Sequence, residues 1–135
     1  THKKMTRFIM SKDQAIKLLI KSASITKGGE IFVLKMDSVK IDDVANVLNK
    51  LYGNNKKNYK KYIGIRNGEK LYEELIGVEE LNKTKEFKNY FVIYSNHKNK
   101  INTKEIKKEK IHSDVGKFLS KRKIENIIKK TYPLI

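Results

Sequence analysis

The sequence predicts an α/β fold: a small sheet of short strands with packed helices. Three observations predict it. A length of 135 residues suits a single domain spanning residues 1–135. The composition, 39% hydrophobic and 34% charged, is that of a folded soluble chain. Apolar stripes at helical spacing alternate with short apolar runs, in the order helix, strand, helix, strand, helix, strand, helix. That alternation favours short parallel strands.

The elements follow in order. Ser11 is an N-cap with Gln14 three positions on, and Ala15, Ile16, Leu18, Leu19, Ile20 and Ala23 give the stripe of a helix over residues 12–24. Gly28-Gly29 is a turn before the buried strand Ile31–Leu34. Asp37-Ser38 opens the next turn, and Val44, Ala45, Val47, Leu48 and Leu51 form a second helix stopped by Gly53. Residues 54–61 are a lysine-rich loop, residues 62–65 a second strand, and residues 71–76 the start of a third helix that residues 78–81 continue after Gly77. Residues 90–94 are a third strand, residues 95–112 a mobile charged surface loop, and Ser120 caps a last helix carrying Ile124, Ile127 and Ile128, with Pro133 beyond its end. Three short strands make a small sheet, which would pack more securely against a larger one. The start at Thr1 likewise suits a fragment of a longer protein.

Several function classes are excluded or disfavoured. No apolar run approaches the roughly 20 residues that span a bilayer, and zero cysteines exclude disulfides, thiolate zinc sites and cysteine nucleophiles. His2, His97 and His112 lie too far apart for metal-ligand spacing, so no metal site is expected. The net charge of +16 suggests nucleic acid, but 28 lysines stand against 3 arginines, mixed with 12 asparagines. Lysine is background here, so a basic nucleic-acid-binding module remains an alternative without a reading motif. Arginine, the residue suited to bidentate phosphate contacts, falls only at Arg7, Arg66 and Arg122.

No Gly-x-Gly-x-x-Gly or Walker loop is present, so the chain has no cofactor-binding turn of its own. Tyr-x-x-x-Lys occurs at Tyr52/Lys56 and Tyr94/Lys98, but seven tyrosines among so many lysines yield about 1.5 such pairs by chance, and neither sits inside a helix. Adjacent acids (Asp42-Asp43, Glu73-Glu74, Glu79-Glu80) cannot face one another on a helix, so no general acid/base pair is visible and no catalytic residue is assigned. The turn Arg66-Asn67-Gly68-Glu69 differs: it places a guanidinium and a carboxylate at the mouth of a strand, where α/β proteins bind ligands. The guanidinium suits a phosphate and the carboxylate a pair of ribose hydroxyls; a plain surface ion pair in a turn is the competing reading.

At these residues the chain resembles a known family. Met5-Thr6-Arg7-Phe8, then Gly28-Gly29-Glu30-Ile31-Phe32-Val33, then Gly64-Ile65-Arg66-Asn67-Gly68-Glu69-Lys70-Leu71-Tyr72-Glu73 look like the C-terminal portion of nucleotide-sugar dehydratases and epimerases, among the extended short-chain dehydrogenase/reductases. The likeness is to the inverting UDP-N-acetylglucosamine 4,6-dehydratases and their polysaccharide-biosynthesis relatives. It continues through Glu86-Phe87-Lys88-Asn89-Tyr90-Phe91, His112-Ser113-Asp114 and Phe118-Leu119-Ser120. The resemblance implies the substrate-binding C-terminal part of an extended Rossmann-type dehydratase. An N-terminal Rossmann half, absent from this chain, would hold NADP (or NAD) and the catalytic Tyr and Lys. It further implies that Arg66 contacts the UDP pyrophosphate, Glu69 the ribose and Arg7 a second phosphate, with Met5 and Thr6 lining the nucleotide. Asn67 departs from the family's usual proline and leaves the turn less rigid. A UDP-sugar 4-epimerase of the same family is the alternative. A cytoplasmic homo-oligomer, with this chain alone inactive, completes the expectation.

Overall fold

The computed structural model describes residues 2–53, 60–95 and 106–132. Strand β1 (Thr6–Ile9) leads into helix α1 (Lys12–Ile25), followed by β2 (Ile31–Leu34), β3 (Asp37–Lys40) and helix α2 (Ile41–Tyr52). A 3-10 turn (Val78–Lys83), β4 (Thr84–Glu86), β5 (Tyr90–Ile93), a second 3-10 turn (Lys108–Lys110) and helix α3 (Lys121–Thr131) complete the order. The strands form two small sheets: β1 pairs with β3, and β5 lies between β2 and β4.

Every ladder is antiparallel, with Thr6 opposite Lys40, Ile31 opposite Ile93 and Thr84 opposite Ile93. This corrects the expectation of parallel strands. Alternation of helix and strand predicts parallel pairing only if each helix is a crossover between neighbours. Here β1 pairs with β3 and β2 with β5 across long stretches, while β4 and β5 are joined directly by residues 87–89 as a hairpin. β1, β3 and β4 are also strands that periodicity missed. Each is only three or four residues long, and Asp37-Ser38, read as a turn, is the start of β3.

Each sheet has its own core. Val39, Val47, Leu119 and Ile124 are buried together under β3, α2 and α3. Ile76, Phe91, Ile93, Ile106 and Ile111 form the second cluster, with Val33, Leu75 and Leu81 packed against it. Ile106 and Ile111 are therefore core residues and not surface loop, because they have apolar partners to cover, while residues 107–110 between them are exposed as expected. The rest of that loop (96–105, with His97 and Lys98), residues 54–59 with Lys56, and Pro133 lie outside the described residues.

Helix α1 matches its sequence reading: the Ser11 hydroxyl accepts from Gln14 N (3.2 Å) while Gln14 Oε1 accepts from Ser11 N (2.8 Å). Helix α2 ends with Gly53 donating its N–H to Asn49 O at 2.8 Å, and Ser120 caps α3 at Lys123 N. Two elements differ. Residues 62–65 are not a strand, since Gly64 sits at φ +80°, which breaks an extended run. Residues 71–76 are not a helix. Their backbone groups bond to remote segments: Thr6 N to Leu71 O (2.8 Å), Ser113 N to Glu73 O (2.9 Å) and Leu75 N to Ile111 O (2.8 Å). Residues 78–81 do turn helically, as the 3-10 turn, with Glu80 Oε2 accepting from Gly77 N at 3.0 Å.

Candidate functional site

The site is a seam where β1, residues 66–75 and residues 111–113 meet. Residues 66–69 form a tight turn: Glu69 N donates to Arg66 O at 3.0 Å, and Arg66 N donates to Glu69 Oε2 at 3.1 Å. Gly68 at φ +78° supplies the left-handed position the turn needs. The Glu69 carboxylate thus closes the turn, while Arg66 is exposed and its guanidinium meets no partner among the described residues.

Immediately after the turn, the chain is tied to Arg7. Arg7 Nη2 donates to Lys70 O at 2.8 Å, Nη1 donates to Thr6 O at 2.7 Å and to Leu71 O at 3.4 Å, and Nε pairs with Glu73 Oε1 at 3.2 Å. Three carbonyls and a carboxylate on one fork fix both the guanidinium and the segment it grips. Met5 and Thr6 are buried, 4% exposed each, so both are packed beneath this seam. Met5 O accepts from Ile41 N at 3.0 Å, which ties the start of β1 to α2.

The other wall comes from Ser113, completely buried. Its Oγ lies 3.0 Å from Thr6 Oγ1 and accepts from Glu73 N at 2.8 Å, so it joins β1 to the 70–75 segment. On the opposite face of that segment, His112 Nε2 lies 3.0 Å from Glu74 Oε1 and its ring stacks on Tyr72 with centroids 5.8 Å apart. Upstream, Asp42 at the start of α2 receives Lys60 Nζ (2.8 Å) and Tyr62 Oη (2.6 Å), which anchors the approach to the turn. The Lys60 and Tyr62 hydrogen bonds hold the Asp42 carboxyl below its usual range, and the same carboxylate raises the Tyr62 hydroxyl.

The structure therefore brings Arg7, Met5 and Thr6 to the segment that directly follows Arg66 and Glu69. Reasoning from spacing missed Glu73 and Ser113. Glu73 looked like half of an adjacent acid pair, and Ser113 lies 107 positions from its Thr6 partner. The tail motif His112-Ser113-Asp114 marked the region without indicating its role. No cluster of potential metal ligands occurs among the described residues.

The pattern of residues 1–95 matches the family described as polysaccharide biosynthesis protein. The chain belongs to that family. It is 45% identical over 141 aligned positions to an uncharacterized membrane protein of Methanocaldococcus jannaschii, covering 96% of this chain and 39% of that protein. It is 39% identical over 93 positions to a UDP-N-acetylglucosamine 4,6-dehydratase (inverting) of Campylobacter jejuni, covering 69% of this chain and 26% of the enzyme. A UDP-glucose 4-epimerase of Rickettsia bellii is 37% identical over the same length, with 69% and 27% covered. Among solved structures, Pen from Bacillus thuringiensis superposes with a TM-score of 0.79 at 33% identity, over 97% of this chain and 39% of that one. The chain thus spans well under half the length of these relatives, consistent with a C-terminal portion of a nucleotide-sugar dehydratase or epimerase. Among the described residues no helix is long and apolar enough to cross a membrane.

Proposed function

We propose that this polysaccharide-biosynthesis chain is the UDP-sugar-binding portion of a 4,6-dehydratase that converts UDP-N-acetylglucosamine to a 4-keto-6-deoxy sugar. The observation that carries this is the exposed, unengaged Arg66 guanidinium on a turn closed by Glu69 and followed at once by the segment Arg7 grips. A guanidinium carried on a closed turn suits a diphosphate, which it can meet bidentately. Glu69, beside it, can accept from ribose hydroxyls with the oxygen it does not give to Arg66 N. Met5 and Thr6 support this surface from below.

The sequence contains no Gly-x-Gly-x-x-Gly or Walker turn that would cradle the phosphates of NADP. The cofactor, NADP or NAD, and the residues that act on the sugar would belong to a separate Rossmann half. What this portion contributes is binding energy on the UDP end, which holds the sugar in a reactive position. The α1 stripe of Ile16, Leu19 and Ile20, 53%, 68% and 66% exposed, offers that half an apolar face to cover. The reading places the whole enzyme in the cytoplasm as a homo-oligomer making precursors of surface polysaccharide such as capsule.

The test is product analysis by mass spectrometry with the protein at its full natural length. UDP-N-acetylglucosamine should lose one water and keep its UDP. A product of unchanged mass but altered sugar configuration would select the 4-epimerase, the reading favoured by the rickettsial relative. No turnover of any UDP-sugar would overturn both.

A further inference from the structure

The Arg7 guanidinium raises a question the nucleotide-sugar reading does not answer. If Arg7 is to meet a phosphate with two N–H groups, something must make room, because four of its five N–H donors are engaged by Thr6 O, Leu71 O, Lys70 O and Glu73 Oε1. Three of these acceptors cannot move independently. Thr6 lies in the β1–β3 ladder, and Leu71 O also holds Thr6 N at 2.8 Å. Lys70 O sits between Leu71 and the closed 66–69 turn. The fourth acceptor is different. Glu73 is a side-chain carboxylate on rotatable bonds, with 43% of its side chain exposed, and its only tie to Arg7 is the 3.2 Å contact at Nε.

We infer that Glu73 is a built-in competitor for the diphosphate: it neutralises Arg7 when the site is empty and swings into solvent when a UDP phosphate takes the Nε side. This rests on the nucleotide-sugar reading and adds a regulating residue to the same site. The chemistry favours the exchange. A diphosphate carries more negative charge than one carboxylate and can take two guanidinium N–H groups at once. A half-exposed ion pair holds its partner only weakly. The backbone of Glu73 does not need to move, since its N–H stays on Ser113 Oγ (2.8 Å) and its carbonyl on Ser113 N (2.9 Å). Glu73 thus lowers affinity for the diphosphate and keeps Arg7 aimed and neutralised while the site is empty.

The test is calorimetric titration of UDP into the protein at its full natural length, in four forms: unaltered, Glu73→Gln, Arg7→Met and the double variant. Thermal unfolding of each confirms that it folds; Glu73→Gln keeps the side chain's size and Arg7→Met keeps its apolar stem. Glu73→Gln should tighten UDP by about three- to fivefold, the scale of one partly exposed charge pair, and should change nothing once Arg7 is methionine. Two results would overturn the inference while UDP binding stands: no tightening by Glu73→Gln, or the same tightening with and without Arg7, which would mean general charge repulsion. Failure of every form to bind UDP would overturn the nucleotide-sugar reading itself, and the inference with it.

Discussion

Helix α3 puts Ile124 fully out of solvent, in a cluster with Val39, Val47 and Leu119. Helix α1 is longer, 14 residues against 11, and better capped, yet none of its residues is buried. Both begin at a serine cap and carry apolar residues at helical spacing. The cap and spacing decide that a helix forms. Whether its stripe is covered depends on what the rest of the chain places opposite. For α3 that is α2, with Lys50 reaching Glu125 at 2.9 Å across the pair; α1 packs on β2, which leaves Ile16, Leu19 and Ile20 exposed.

The sharpest way to break this comparison is to truncate one stripe residue on each helix and measure urea unfolding of the 135-residue chain. Ile124→Ala should cost about 2–5 kcal/mol, the range for emptying a buried aliphatic site, whereas Leu19→Ala should stay within about 0.5 kcal/mol. Equal costs would mean that the α1 stripe is covered. In the protein at full natural length, Leu19→Ala should become costly if a Rossmann half covers α1.

A second comparison sets buried polar contacts against exposed ones. Ser113→Ala removes the acceptor of the part-buried Glu73 N–H and the partner of the buried Thr6 hydroxyl, and should cost about 1–3 kcal/mol. Ser11→Ala removes the α1 cap at the surface and should cost about 1 kcal/mol or less. Denaturant midpoints of the two variants check the order.

The smallest effect concerns pH. Hydrogen bonds from Lys129 and then Lys50 bring the Glu125 carboxyl down to about 2 from an ordinary 4.5. A carboxyl lowered by folding adds stability that is present above its ordinary value and lost as pH falls toward the lowered one. The stability difference between the unaltered chain and Glu125→Gln should therefore shrink as pH falls from 4.5 toward 2. High salt should shrink it further, because the pair is open to solvent. A difference that is flat in pH would contradict the pairing of Glu125 with Lys129 and Lys50.

Helices, caps and the strands Ile31–Leu34 and Tyr90–Ile93 were legible in the sequence, because each depends on neighbours within a few positions. Strand pairing was not: β1 finds β3 and β2 finds β5 across long stretches, and four-residue strands carry too little periodicity to announce a partner. The segment 71–76 shows the same limit from the other side. Leu71, Leu75 and Ile76 are spaced acceptably for a helix, but bonds to Thr6, Ile111 and Ser113 outcompete local ones. At the site, Arg66 and Glu69 stood out because a turn with Gly68 is a local motif. Arg7 stood out because arginine is scarce here. The hold of Arg7 on Lys70 and Leu71, the role of Ser113 and the position of Glu73 are contacts between distant residues, and no spacing rule reaches them.

The central claim is that Arg66, not the general positive charge, holds the nucleotide diphosphate. The direct measurement is UDP titration into the protein at full natural length with Arg66→Ala beside Lys17→Ala, an exposed lysine on α1. Both variants remove one positive charge. Arg66→Ala should weaken UDP about tenfold or more, the scale of a lost charge-assisted contact, while Lys17→Ala leaves the affinity within about twofold. Equal losses, or none from Arg66→Ala, would contradict the assignment.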